Sequence, residues 1–409
     1  MAAVSSDLGR DDILRELLLR KQANRDLVKF CKRVSDIEAA RHHKVMIDAL
    51  ERITSGELNR LMIFMPPGHA KSTYSSVHFP AYYLGVNTTN CIIGASHTQD
   101  LAERFSKKAR SIVQSTAYHE LYGFGIAQDS RAVAAWETER GGEFKAAGVG
   151  AGIAGRRADV GLIDDPIRSR EDAESELVRD RVWEWYLADF RTRLKPNGAI
   201  VIIQTRWHPD DLAGRILPPD YHGQSGKVVC TGGEEWEIIN FPAICEQDDD
   251  VLGRKIGEAL WPEYYTLEML LETKKMQTSR NWSSLYQQRP RPDDANQFDI
   301  ENMLVDGSPV AYPNFCDSIF AVIDTATKDG SKHDSTSVTY FAYSKHVGIP
   351  LIVLDYDMVQ IEGAIIVDWL PSVVERCEEL VKLCNARLDR KSTRLNSSHI
   401  PLSRMPSSA

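Results

Sequence analysis

The sequence predicts an α/β protein built on a parallel sheet, and three apolar runs carry that expectation. Leu61-Met62-Ile63-Phe64-Met65, Val160-Gly161-Leu162-Ile163 and Ala199-Ile200-Val201-Ile202-Ile203 are short, almost free of polar residues, and followed at once by polar or turn-forming ones. Uninterrupted apolar strands suit a sheet buried on both faces, whereas alternating strands suit a sheet with one wet face. Helix-length stretches lie between the runs, as strand–helix–strand crossovers require.

Composition narrows the class. The chain has 409 residues, enough for two or three domains, with 43% hydrophobic and 26% charged residues, ordinary values for a soluble globular protein. No apolar run reaches the length of a membrane span, and Met1 to Asp7 lacks a signal-peptide pattern, so no membrane partner is expected. The seven cysteines are scattered without a C-x-x-C pair, which argues against a zinc site or a disulfide framework and fits a reducing cytoplasm. A net charge of −9 argues against a protein that coats nucleic acid over its whole surface, but leaves room for a local basic groove.

Residues 1–57 read as helical. Ile13, Leu14, Leu17 and Leu18 form an apolar stripe that Phe30, Val34 and Ile37 continue, and Val45, Met46, Leu50 and Ile53 recur at helical spacing before Gly56. His42 and His43 head that last helix, where solvation is the ordinary fate of a histidine and contact with a nucleotide base the alternative.

The first apolar run leads into Pro66-Pro67-Gly68-His69-Ala70-Lys71-Ser72-Thr73, then a helix expected from Ser72 to about Leu84, with Pro80 as a kink and Gly85 as its stop. Strand, phosphate-sized loop, Lys-Ser-Thr and helix make the setting of a P-loop. There, N–H groups at the helix start face an anion, Lys71 reaches the β- and γ-phosphates, and the Ser72 hydroxyl ligates Mg²⁺. The fit to G-x-x-x-x-G-K-[ST] is imperfect, because the two glycine positions hold Met65 and Ala70. The loop alone therefore fits a nucleotide site and an ordinary turn equally.

A second strand, Cys91 to Ala95, precedes Ser96-His97-Thr98-Gln99, which resembles a capping box, and a helix whose face is marked by Leu101, Phe105 and Ile112. Gly150-Ala151-Gly152-Ile153-Ala154-Gly155 matches G-x-G-x-x-G but runs into Arg156-Arg157-Ala158-Asp159 and another strand. It opens no helix, so the dinucleotide reading fails and a glycine loop remains.

The run Val160 to Ile163 delivers Asp164-Asp165-Pro166, and two carboxylates at a strand end supply the other half of a hydrolytic nucleotide site. Asp164 is placed to hold Mg²⁺ through water and Asp165 to orient or deprotonate the attacking water. A charged helix follows from Glu171 to Phe190, with Val178, Val182, Tyr186 and Phe190 expected in the core. The third run ends in Gln204-Thr205-Arg206-Trp207-His208, at the strand end where ligand chemistry gathers in parallel sheets; Gln204, Thr205 and Arg206 are placed to sense a γ-phosphate. These boundaries give an ATPase core over 58–215.

Residues 216–315 are rich in Pro, Gly and acidic side chains, with a short helix from Thr266 to Met276, and read as a connector or subdomain. Apolar strands resume at Ile319 to Asp324, Ser337 to Tyr343 and Leu351 to Asp355, with Asp334-Ser335-Thr336 between the first two. Helical sequence then runs from about Glu362 to Leu383, broken at Pro371. An Asp ending the first strand of such a meander suits a two-metal nuclease of the RNase H type, and equally a strand capped by a turn residue. Asp355 and Asp357 read as strand-end and turn residues. Residues 316–388 are set off as a further domain, on the first of these readings a partial, RNase H-like α/β nuclease domain. The Ser/Arg-rich tail from 389 to 409 has no periodicity and reads as non-native sequence (translated sequencing adapter joined to a shortened gene) or as a disordered tail.

In order and spacing, Met65 to Ser72, Gly161 to Pro166, Gln204 to His208 and Ile323-Asp324-Thr325-Ala326 together resemble the large subunit of the tailed-phage terminase, over roughly residues 28–388. The resemblance implies a P-loop ATPase that drives double-stranded DNA into a procapsid, joined to a Mg²⁺- or Mn²⁺-dependent endonuclease that cuts concatemers. It places Pro67, Gly68, His69, Ala70, Lys71, Ser72 and Thr73 around ATP, Ser72 and Asp164 at Mg²⁺, and Asp165 where the family usually has a catalytic Glu. It also implies that Thr205 couples hydrolysis to motion, that His42 or His43 lies near the adenine, and that Asp324 is the first nuclease metal ligand. The implied partners are DNA, a small terminase subunit and a portal protein, in a homo-oligomeric ring docked on the procapsid in the host cytoplasm. This P-loop carries no arginine, so the finger must come from elsewhere or from a neighbouring subunit. Asp324 alone cannot hold two metals, so weak cutting is expected of this chain. A helicase-like P-loop motor and a non-catalytic scaffold are the alternatives.

Overall fold

The computed structural model describes residues 10–130, 132–153, 155, 157–291, 312–324, 336–345, 351–359 and 366–386. Ala154, Arg156, Thr325, Ala326, Asp334 and Ser335, and the tail from 389, lie outside the described residues. The chain divides into two compact units, Met1–Gln297 and Phe298–Ala409.

In the first unit an eight-stranded sheet runs β3-β4-β2-β5-β6-β1-β8-β7, from β1 (Arg60–Phe64), β2 (Cys91–Ser96), β3 (Ala135–Glu137), β4 (Glu143–Gly148), β5 (Ala158–Asp164), β6 (Leu194–Gln204), β7 (Gly226–Val229) and β8 (Glu235–Asn240). All pairings from β4 through β8 are parallel, and only the edge strands β3 and β7 pair antiparallel. The fold is thus the expected α/β architecture on a mainly parallel sheet. Its strands read as continuous apolar runs because both faces are covered. Leu61, Ile63, Val201 and Ile203 enter one core, while Met62, Phe64, Ile200 and Ile202 enter the other.

The stretch 216–315, expected as a connector, supplies β7 and β8, and β8 pairs with β1 in register Met62↔Ile238. Its Trp236 and Ile238 are fully buried, so the sheet extends well beyond 215. The acidic and glycine residues around this short strand hide its apolar positions in the sequence.

Helices α1 (Arg10–Ala23), α2 (Leu27–Ser35) and α3 (Arg41–Ser55) precede β1. The Asp26 carboxylate accepts from Lys29 N–H to cap α2, and α3 stops at Gly56 with φ +79°. Phe30, Met46, Leu50 and Ile53 join the first core as the periodicity predicts. The stripe on α1 does not: Ile13, Leu14, Leu17 and Leu18 are exposed, and α1 is tied down instead by Glu16 bonding Arg20 and Arg33.

After the loop that follows β1, the helix is π-helical over Thr73–His78 and becomes α4 (Phe79–Val86). Pro80 does not break it. The wider turn, with Phe79 N–H reaching Tyr74 C=O, accommodates the missing donor. Nor does Gly85 stop it; the cap is Asn87. Helix α5 (Gln99–Val113) is capped by Thr98, two residues beyond the Ser96 of the expected capping box; of its expected face Ile112 is buried and Phe105 packs against the core, but Leu101 is half-buried and the rest of the buried face is Ala102, Ser106, Ala109 and Val113. Small side chains let the helix approach β4, a choice an apolar stripe cannot reveal.

The charged helix expected over Glu171 to Phe190 is α7 (Arg170–Glu174), α8 (Glu176–Trp185) and a π-helical turn Tyr186–Phe190. Ser175 caps α8 by accepting from Val178 N–H. Val182, Tyr186 and Phe190 lie in the second core, and Val178 packs against it half-buried. The helix expected at Thr266 forms as α10 (Leu267–Met276), with Thr266 as its cap.

In the second unit, β9 (Ser318–Asp324), β10 (Thr336–Tyr343) and β11 (Leu351–Val359) form an antiparallel sheet ordered β11-β10-β9, with a helix at Ile366–Leu383. The helix runs unbroken through Pro371. Val338 and Tyr340 pack with its Val373 and Leu380, whereas Phe320, Val322, Tyr356 and Met358 on the opposite face are exposed.

Candidate active site

The site forms at the carboxyl ends of β1, β5 and β6. Strand β1 is central, and the chain leaves it for β2, which lies beyond β6 and β5; such a reversal of winding opens a crevice at the strand ends. The loop after β1 turns on Gly68 (φ +78°) and Ala70 (φ +59°). Ala70 occupies the left-handed conformation usually left to glycine, at a cost on the order of 1 kcal/mol. The loop therefore makes a left-handed turn where the motif would place its second glycine, without a glycine there.

Lys71, at the first turn of the helix, is buried and points at the other two strand ends. Its Nζ donates to Thr205 Oγ1 at 2.9 Å and lies 2.9 Å from Asp165 Oδ2. Asp165 Oδ1 accepts from Thr205 N–H at 2.8 Å, and Thr205 Oγ1 donates to Met65 C=O at 3.1 Å. Asp165 itself sits at φ +44°, a second strained residue in the same few ångströms. Behind this triad, Asp164 accepts from Ser72 Oγ at 3.0 Å and from Ser76 Oγ at 2.5 Å. Burial, and secondarily the charge of Asp165, pushes the Asp164 carboxyl up to about 7, against the pull of Lys71 and the two serines. A cation placed beside it would favour the ionised form.

The structure thus brings together Lys71, Ser72, Asp164, Asp165 and Thr205, five residues from three separate stretches of the sequence. Thr73 begins the π-helical turn that follows. The donor set fits Mg²⁺: one serine hydroxyl and one carboxylate, both hard oxygens, since Mg²⁺ at a nucleotide takes few protein ligands and completes its shell with water and phosphate. A Ser/Lys/carboxylate arrangement of this kind can hold a polyphosphate, neutralise its charge and orient a water at its end.

Other expectations change. His42 and His43 are not solvated; both are buried. His43 Nδ1 accepts from Ala40 N–H at 3.1 Å, so Nε2 carries the proton and donates to His69 C=O at 3.0 Å. With both nitrogens spent, His43 braces the P-loop backbone and does not present an edge to a base. His69 donates from Nδ1 to Pro67 C=O at 2.9 Å. Burial depresses His43 and His69 to about 4, and His42 further, so all three are neutral near pH 7. Arg206 also differs: its guanidinium turns away from the P-loop to Asp211, with Nε to Oδ2 at 2.8 Å, over the ring of Phe64. Strand alternation is the reason, since Thr205 and Arg206 leave β6 on opposite faces. Gln204 is buried beside Phe64, on the face away from Lys71.

The stretch 241–286 contributes residues that sequence reasoning missed. Trp261 packs against His42 and His43, and Tyr265 stacks on His69 at 4.7 Å. A Cβ on Gly68 would lie 2.3 Å from Tyr265 Oη, so glycine is needed there for contact as well as conformation. The signal was Trp261-Pro262-Glu263-Tyr264-Tyr265, an aromatic cluster inside an otherwise polar stretch.

Asp324 belongs to the second unit. It ends β9 opposite Ser337, exposed, on the face of the three-stranded sheet away from the helix. Asp355 and Asp357 are mid-strand rather than turn residues and face the helix side, where Asp355 pairs with Arg376 at 2.6 Å. Among the described residues, no group of three His, Cys, Asp or Glu is placed to hold a metal ion.

Comparison with known proteins gives one family. Residues 62–284, more than half of the chain, match the family described as terminase large subunit, T4likevirus-type, N-terminal. No curated protein matches the sequence. Among solved structures, the large terminase of bacteriophage HK97 aligns at 11% identity and TM-score 0.38, covering 89% of this chain and 73% of that one. The large-terminase ATPase domain of Thermus phage P74-26 aligns at 13% identity and TM-score 0.41, covering 64% of this chain and 98% of that one. The large terminase of a thermophilic bacteriophage, in complex with ADP, aligns at 10% identity and TM-score 0.32, covering 80% of this chain and 73% of that one.

Proposed function

The chain belongs to the terminase large subunit family, T4likevirus-type, N-terminal, and from that premise we propose that its first unit hydrolyses Mg²⁺-ATP to drive double-stranded DNA into a procapsid. The observation that carries the reading is the convergence of Lys71, Asp165 and Thr205 at hydrogen-bond distance, with Ser72 and Asp164 behind them. Lys71 and the N–H groups at the helix start hold the phosphates, and Ser72 and Asp164 hold Mg²⁺, which when bound neutralises charge on the phosphate oxygens. Asp165 orients the attacking water and accepts its proton; it is a methylene shorter than Glu, and the left-handed backbone at φ +44° sets the direction from which it approaches. Thr205 bonds both Lys71 and Asp165, so any movement of either is felt at the end of β6. His43 and His69 hold the loop in shape.

The partners proposed are those of the family: DNA, a small subunit, a portal and further copies of this chain in a ring, acting in the host cytoplasm. Among the described residues no helix is long and apolar enough to cross a membrane. The family's cutting activity is proposed to involve Asp324 as a metal ligand. Among the described residues no group of three His, Cys, Asp or Glu is placed to hold a metal there, so the 409-residue chain is expected to cut DNA poorly. Robust Mn²⁺-dependent cleavage that disappears in Asp324→Ala would refute that.

The deciding measurement is Mg²⁺-ATP hydrolysis by the full chain, with and without duplex DNA, against Lys71→Ala. A fall of about 10²–10³-fold in kcat is expected, the usual cost of removing one electrostatic partner of the transition state. Undiminished hydrolysis in Lys71→Ala would sink the assignment.

A further inference from the structure

On the side of β6 opposite the P-loop lies a cavity of about 300 Å³, and Arg206, Tyr221, His222, Arg289 and Arg291 line it together with prolines. Among the described residues no carboxylate lines it, in a chain whose net charge is −9. Arg206 spends its Nε on Asp211, and Arg289 makes one long, exposed bond to Glu246 at 3.4 Å. Two donors on lining residues, Tyr221 Oη and Arg289 Nε, are buried with no hydrogen-bond partner among the described residues. Buried donors are rarely left unsatisfied, and these two lack an acceptor beside a wall that carries three guanidiniums and no carboxylate.

We propose that this cavity seats a backbone phosphate of double-stranded DNA. Guanidinium forks match phosphate oxygens in pairs, and Arg291, exposed at the cavity, is free to offer one. The surrounding prolines hold the walls without requiring order to be gained on binding. The seat also touches the hydrolytic site through one residue: Arg206 lines the cavity, and its neighbour Thr205 bonds Lys71. Gln288, buried at the cavity's edge with φ +58°, accepts from Arg206 N–H at 3.0 Å, fixing the backbone between the two. A phosphate gripped here therefore bears on the strand end that senses the nucleotide. The choice of DNA rests on the packaging reading above; the anion chemistry does not.

The test is duplex binding by fluorescence anisotropy over a range of salt, comparing the full chain with Arg289→Ala, Arg291→Ala and the double variant. Each phosphate left unneutralised is expected to lower the magnitude of the log–log salt slope by about 1 and to weaken binding several-fold, with partial recovery in Arg291→Lys. DNA-stimulated ATP hydrolysis should fall in the double variant while basal hydrolysis holds. Arg291 is exposed, so Arg291→Glu supplies a folded variant of opposite charge if Arg289→Ala lowers Tm. An unchanged slope and affinity in Arg291→Glu or the double variant overturns the proposal. So does calorimetry in which inorganic phosphate or an acidic peptide binds in an Arg291-dependent way while duplex binding is indifferent to Arg291. Failure of the ATPase reading would show separately, as Lys71-independent hydrolysis, and leaves the salt slopes interpretable.

Discussion

Strands β5 and β9 end alike in sequence, in Leu162-Ile163-Asp164 and Val322-Ile323-Asp324, but differ in their surroundings. Strand β5 is flanked on both sides by parallel strands, and its Asp164 is 2% exposed, held by two serine hydroxyls and neighboured by Lys71 and Asp165. Strand β9 is the edge of a three-stranded antiparallel sheet, and its Asp324 is exposed on an open face. The local pattern is the same, an apolar run delivering a carboxylate. What differs is the number of other elements that end at the same place. A hydrolytic site needs several, because one exposed carboxylate supplies a single ligand and cannot by itself hold a metal and orient a water.

The sharpest way to test that contrast is to remove each carboxylate in turn. Asp164→Asn is expected to reduce Mg²⁺-ATP hydrolysis by about 10²-fold or more. Asp324→Asn should leave hydrolysis unchanged and Tm-derived stability within about 0.5 kcal/mol, as for other exposed positions. Equal effects of the two on hydrolysis would erase the distinction between the two strand ends.

Arg206 tests the contrast from the next strand. Its pair with Asp211 is nearly fully buried, at 5% and 2% side-chain exposure. Removing one partner of such a pair leaves an uncompensated charge, so Arg206→Ala should cost about 3–5 kcal/mol in denaturant unfolding. A variant of native stability that lost only hydrolysis would instead restore Arg206 as a direct sensor of phosphate.

The histidines under the loop after β1 give the first unit a pH dependence. His43 and His69 are held near 4 in the fold, below their ordinary 6.5, because burial disfavours the charged form. The unfolded chain therefore binds more protons than the folded one between these values. Their contribution is complete above pH 6.5 and is lost as pH falls toward 4. At pH 5 one such histidine costs about 2 kcal/mol of stability relative to neutral pH. Thermal unfolding from pH 7.5 to 5 should show this loss, and His43→Gln should flatten part of it. A slope untouched by the substitution would mean that other groups carry it.

The smallest expected effect is at the loop itself. Ala70→Gly relieves a left-handed alanine but frees the unfolded chain, and the two nearly cancel, leaving a gain below about 1 kcal/mol. Gly68→Ala should do the opposite and more strongly, because its Cβ meets Tyr265.

The sheet, its parallel sense and the residues that meet at its strand ends were legible in the sequence. Buried parallel strands must be continuously apolar, and the chemistry must sit where they end, so Leu61 to Met65, Val160 to Ile163 and Ala199 to Ile203 announced both. Lys71, Ser72, Asp164, Asp165 and Thr205 followed from position alone. The tertiary structure decided what depends on neighbours distant in the chain. It turned Arg206 to the far face of β6 and buried His42 and His43 beneath a loop that begins over twenty residues later. It drew β8 and Trp261 to the site from a stretch whose polar residues masked them, and it left the α1 stripe and Asp324 exposed. Periodicity reports which face of an element is apolar. Only packing decides whether anything covers that face, and which side chains from elsewhere meet there.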